Sequence, residues 1–252
     1  SIALVLLAIR GSYYAFEAYS GARGHKGYAF AYGVSGLFIP AALSVVLTIS
    51  EGGFIKMVDG NPQLDYVALF TSQLSWSIVV LAVVAVLYIS SVFLTWYASR
   101  AGDDSASELM RKYALIWAGP LILAAFGIII EMRAVHNWHY ENMLNLWWLF
   151  VISGILFIVT IWLIGNRKRY GVAVVLLILQ FATAFYAYGI SHYPYLLYPY
   201  LSIEDSFTSE AMAIALVVAF VAGLALLIPS LYLVIKLFFT KDYVSGKDET
   251  HV

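Results

Sequence analysis

Along most of this chain apolar positions do not alternate with polar ones. They run together. Six uncharged apolar runs stand out: Tyr28–Ser50, Val67–Ser99, Tyr113–Ile130, Leu144–Gly165, Gly171–Ile190 and Ala211–Ile235. Each is of the length, about 20 residues, that a helix needs to cross the hydrocarbon core of a bilayer. A helix satisfies its own backbone hydrogen bonds in lipid, whereas spanning strands show an alternation over about 10 residues that is not found here. The stretch SIALVLLAI before Arg10 is apolar but too short to span. It reads as the second half of a helix that begins upstream, and with it the pattern predicts an all-α integral membrane protein with seven visible membrane segments, one of them partial.

The charges lie between the runs and give the segments an orientation. Counting alternate connections, one side carries Arg23, Lys26, Arg100, Arg111, Lys112, Arg167, Lys168, Arg169, Lys236, Lys241 and Lys247, and the other only Lys56 and Arg133. Eleven against two is a strong positive-inside bias. It predicts that GNRKRY and the C-terminal tail are cytoplasmic and that EGGFIKMVDGNPQLD, EMRAVHNWHYEN and SHYPYLLYPYLSIEDSFTSE face out.

Composition adds exclusions. The chain has 252 residues, 62% hydrophobic and 12% charged, about half the charge of a soluble domain. A formal net charge of -1 gives no reason to expect nucleic acid as a partner. The absence of cysteine excludes disulfides, thiolate-held iron–sulfur clusters and thiol nucleophiles.

Candidate chemistry within the spans is sparse. Ionisable groups inside a membrane are the first functional candidates because they are costly to keep there, yet Glu131, Lys236 and Glu210 lie only at span ends. His136 and His139, three positions apart beside Trp138 and Tyr140, read as an aromatic interfacial belt rather than a metal site. His192 follows a span, and no span interior holds a histidine that could ligate haem. Gln73 and Gln180 read as hydrogen-bonding partners of neighbouring helices. Pro40, Pro120 and Pro229 each remove one bond from a helix interior and read as packing kinks. No residue is assigned to catalysis, cofactor binding or a metal.

IRGSYYAFEAY, at the end of the partial segment, resembles the arginine–aromatic–acidic signature after the third helix of subunit II of cytochrome bd quinol oxidases. VSGLFIPAALSV, LIWAGPLILAAFG, SHYPYLLYPYLSIEDSFT and LLIPSLYLVIKLFF continue the resemblance in family order across the chain. Two spacings depart from it: RGSYYAFE is longer than the commonest form, and the prolines of YPYLLYP stand one residue further apart than in some members.

The resemblance implies the third to ninth helices of a nine-helix subunit, built as two four-helix bundles plus a peripheral helix. Residues 1–65 would then be the remainder of the first bundle, 66–191 the second, 192–209 an external loop, and 210–252 the peripheral helix and tail. It also implies a multi-pass subunit of a terminal oxidase in a bacterial or archaeal plasma membrane, taking electrons from quinol to reduce oxygen to water. Haem b and haem d would lie in subunit I, this chain ligating none. A quinone would be at most a lipid-like bound ligand, and a small single-helix third subunit is a further candidate partner. Subunit II would support assembly and line part of a proton route. Arg10 and Glu17, about two helical turns apart, would lie near one face and pair with each other or with subunit I.

The competing class is a secondary transporter or channel, whose mark is broken helices paired between repeated halves with polar groups at the midplane. Neither is found. A haem-carrying integral cytochrome is the third class, and an optical spectrum of the polypeptide alone separates it from the others.

Overall fold

The computed structural model describes residues 2–19, 26–58, 61–135, 137–204 and 209–239. Six of its helices are long and apolar enough to cross a membrane. Helix α1 (Ile2–Tyr19) is followed by α2 (Lys26–Ser50), a short hairpin of β1 (Ile55–Val58) and β2 (Asn61–Leu64), and the single-turn helix α3 (Tyr66–Thr71). Then come α4 (Gln73–Ala101), α5 (Asp104–Val135), the short α6 (Asn137–Asn145), α7 (Trp147–Gly165) and α8 (Tyr170–His192). A second small hairpin, β3 (Tyr195–Leu197) with β4 (Leu201–Ser202), precedes α9 (Glu210–Phe239).

The apolar run Val67–Ser99 is not one helix. It breaks at Ser72, which is extended at φ -70° and ψ 129°. Asp65 caps the start of α3 by accepting from the Ala68 amide, and Ser72 caps α4 by accepting from the Ser75 amide. Side-chain oxygens thus replace the backbone partners that a helix start leaves unmet. The Trp76 indole donates to the Phe70 carbonyl and braces the corner.

The buried core lies among α4, α5, α7 and α8. Tyr88 and Val92 of α4 meet Ala114 and Ala118 of α5, Phe157 and Ile164 of α7, and Ala173 and Leu177 of α8. Lipid is as apolar as these side chains, so close packing of small residues, rather than escape from water, holds such helices together. Several hydroxyls in the core are bonded at short range: Ser91, Thr95 and Thr160 donate to carbonyls four residues back, and Ser107 of α5 donates to the Thr95 carbonyl of α4, whereas the Tyr88 hydroxyl is buried without a partner. Ser153 of α7 donates to the backbone carbonyl of Gln180, whose own side-chain oxygen is buried without a partner. The neighbour of Gln180 therefore bonds its main chain and not its amide.

At one end of this bundle Gly102, in the left-handed conformation, closes α4, and Glu108 accepts from both Arg111 and Arg167. That pairing ties α5 to the turn between α7 and α8. The two hairpins and α6 lie at the other end. Pro40, Pro120 and Pro229 stand inside continuous helices α2, α5 and α9. The span of α9 presents almost entirely exposed apolar side chains.

Candidate functional site

Three connections at the hairpin end converge on one buried polar cluster. The first is the end of α2, where the Glu51 amide still bonds the Leu47 and Thr48 carbonyls, so Glu51 continues the helical turn. The chain then reverses through Gly52 and Gly53, at φ +91° and +81°. A Cβ on Gly52 would collide with the Tyr198 carbonyl, and the Tyr198 amide donates to Ser50, so the β3–β4 connection is clamped over the end of α2. The second is α6, whose Asn142 amide group donates to the Ser191 carbonyl. The third is the last turn of α8, which supplies Tyr188, Ser191 and His192.

Glu51 and His139 are both fully buried. His139 Nδ1 lies 3.0 Å and 2.9 Å from the two Glu51 carboxylate oxygens, and the Tyr188 hydroxyl donates to Oε1. His139 Nε2 lies 2.7 Å from Ser191 Oγ, while Ser191 Oγ lies 2.8 Å from the Tyr188 carbonyl. A hydroxyl has one proton to give. Ser191 Oγ thus bridges the Tyr188 carbonyl and His139 Nε2, and can give its one proton to either. With the Glu51 carboxylate able only to accept, His139 donates from Nδ1, and the two residues form a buried carboxylate–imidazole pair. Burial pushes the Glu51 carboxyl up, but the hydrogen bond and charge of His139, then Tyr188 and His192, outweigh it and hold the carboxyl below its usual range.

An aromatic wall encloses the pair. Trp138 stacks on Tyr198 with centroids 4.4 Å apart and lies 5.1 Å from the His139 ring. His192, only 9% exposed, sits 5.0 Å from the His139 ring with its Nδ1 3.8 Å from Glu51 Oε1. Neither His192 nitrogen has a hydrogen-bond partner. A groove of about 500 Å³ lined by Leu47, Ser50, Tyr188, Tyr193 and Tyr195 opens beside it.

This corrects the reading of His139 and Trp138 as a headgroup-level belt: His139 packs inward because the buried Glu51 carboxylate needs a hydrogen-bond donor, and Trp138 packs on Tyr198. His192 likewise packs into the cluster as the last residue of α8. His136 lies outside the described residues. Arg10 donates to the Tyr32 hydroxyl at 3.1 Å, and its guanidinium stands 4.5 Å over the Tyr32 ring, where Gly36 leaves it room. Glu17 is on α1, and its side chain is outside the described set. Arg10 and the three helix prolines are therefore not brought together into one site.

The model of the family "Cytochrome bd terminal oxidase subunit II" matches residues 1–238. A protein of Bacillus subtilis (strain 168), assigned as subunit II of a cytochrome bd menaquinol oxidase, is 33% identical over 258 residues, covering 98% of this chain and 74% of its own. A chain in the structure of bd oxidase from Geobacillus thermodenitrificans is 59% identical with a TM-score of 0.82, covering 94% of this chain and 72% of that one. These likenesses run through nearly the whole chain and decide against the transporter or channel alternative. The chain belongs to the cytochrome bd terminal oxidase subunit II family and is a membrane subunit of a bd-type quinol oxidase.

Proposed function

We propose that this chain is the subunit of the oxidase that ligates no haem, that it supports assembly of a haem-bearing subunit I, and that it lines part of that subunit's proton route. Haem b and haem d are then held by the partner. One observation carries this reading: the two buried imidazoles, His139 and His192, pack edge to face against each other and beside Glu51, a spacing that admits no porphyrin plane between them. His139 has both nitrogens engaged, and Glu51 and Tyr188 pack against His139 and His192, whose rings stand 5.0 Å apart. An axial haem ligand needs a free nitrogen facing a flat open slot, and this cluster does not fit a haem.

The exposed apolar faces of α7 and α9, with Trp147, Ile158, Phe220 and Leu226 outward, suit lipid and a second membrane subunit. The division of the chain into the remainder of a first bundle (1–65), a second bundle (66–191), an external loop (192–209) and a peripheral helix with its tail (210–252) is part of the same proposal. So are a plasma-membrane location with the C-terminus cytoplasmic, and a quinone as a lipid-like bound ligand.

The test is purification through a tag on this chain. Recovery of a second, haem-bearing subunit in a one-to-one complex, with no Soret band from this chain expressed alone, is the expected result. A Soret band from the isolated chain would overturn it, and any small third subunit would appear in the same preparation.

A further inference from the structure

The geometry points to a divalent metal site, of the class zinc(II) occupies, formed by Glu51, His139 and His192. Their ligand atoms all lie within 4.8 Å of one another. Tetrahedral zinc takes nitrogen and oxygen ligands at about 2.0–2.2 Å, which places neighbouring ligand atoms about 3.3–3.5 Å apart. Measured from the same oxygen, Glu51 Oε1, the separations are 3.0 Å to His139 Nδ1 and 3.8 Å to His192 Nδ1, on either side of that value. Two imidazoles and one carboxylate, in a chain without cysteine, suit a borderline cation better than calcium or magnesium.

Two further observations point to a ligand. His192 is buried with both ring nitrogens unpartnered, an arrangement that protein interiors seldom leave unexplained. His139 is held as metal-ligating histidines are: its Nε2 is anchored by Ser191, which also lies against the Tyr188 carbonyl, leaving Nδ1 aimed at Glu51. The groove beside His192 supplies an entry path. Binding requires His139 Nδ1 to give up its proton, by exchange to the Nε2 tautomer with Ser191 as acceptor or, from the doubly protonated ring, to solvent, so that the Nδ1 lone pair and the Glu51 carboxylate both donate to the ion. The Tyr188 oxygen or a solvent molecule from the groove completes the fourth position.

The experiment uses the purified oxidase complex, stripped of metal by chelator and then dialysed against zinc chloride. The expected result is one tightly held zinc per chain by elemental analysis, with zinc-edge absorption fine structure showing two imidazoles and an oxygen shell at about 2.0–2.1 Å. His192→Gln should weaken binding more than about tenfold while the haem content of the complex stays unchanged. No stoichiometric zinc in the wild-type complex, a shell without imidazole scattering, or unaltered affinity in His192→Gln would each overturn the assignment. The wild-type absorption measurement decides the matter even if the variant does not assemble. A haem-bearing complex that binds no zinc refutes this site and leaves the proposed function standing.

Discussion

Ser191 Oγ stands 2.7 Å from His139 Nε2, and it is the partner that holds the far side of the buried imidazole. Replacing Ser191 with alanine strips a buried imidazole nitrogen of its hydrogen-bond partner, which costs about 1–3 kcal/mol. Ser191→Thr keeps the hydroxyl. Thermal unfolding of the purified complex should therefore show Ser191→Ala well below wild type and Ser191→Thr above Ser191→Ala. Equal melting of the two variants would mean that the hydroxyl does not hold the ring.

The pairing of Glu51 with His139 makes a second prediction. Removing one partner of a buried ion pair costs about 3–5 kcal/mol because the other charge stays behind. Glu51→Ala and His139→Ala should each lower the yield of assembled complex sharply, and the double variant should be less severe than the sum of the singles. Glu51→Gln, which can still accept from His139 and Tyr188, should be the mildest of the series. Additive losses in the cycle would show that the two residues do not depend on each other.

These residues also mark where the sequence was legible. The spans were readable because hydropathy and run length alone decide what crosses a bilayer. The corner at Ser72 was not, since nothing in an apolar run signals that Asp65 and Ser72 will cap two separate helices. Glu51 and His139 are 88 positions apart, and each looks like an ordinary loop residue on its own. A usable signal did exist. Alternating topology puts Glu51, His139 and His192 at the same membrane face, and an acid with two histidines at one face of so sparsely charged a chain is a reason to look for contact. Arg10 also meets the aromatic ring of Tyr32 on α2, a contact that helix spacing within α1 cannot reveal.

Gly52 and Gly53 allow a controlled test of the clamp over the cluster. Both have positive φ, so alanine at either is strained by about 1–2 kcal/mol. Only at Gly52 would the added methyl also meet the Tyr198 carbonyl, while nothing lies within 4 Å of the same position at Gly53. Gly52→Ala should therefore destabilise the complex more than Gly53→Ala and expose the β3–β4 connection to protease. If the two variants behave alike, the close approach of Tyr198 to the end of α2 contributes nothing.

The proposed placement of the cluster on the outer face rests on charge. The turn that joins α7 to α8 carries Arg167, Lys168 and Arg169 in succession, and Arg167 is drawn to Glu108 on the neighbouring α5. Moving such a turn across the bilayer during insertion is far less favourable than retaining it, which is the origin of the positive-inside bias. The opposite end, with the hairpins and the Glu51–His139 pair, has Lys56 and Arg133 as its cations, and Lys56 is already neutralised by Asp65. The chain contains no cysteine, so single substitutions report position without background. Tyr200→Cys, at a side chain that is 56% exposed, should react with a membrane-impermeant maleimide on intact cells. Lys168→Cys should react only after the membrane is opened. The reverse pattern would place the cluster on the inner face, and any metal ion reaching His192 through its groove would then come from the cytoplasm.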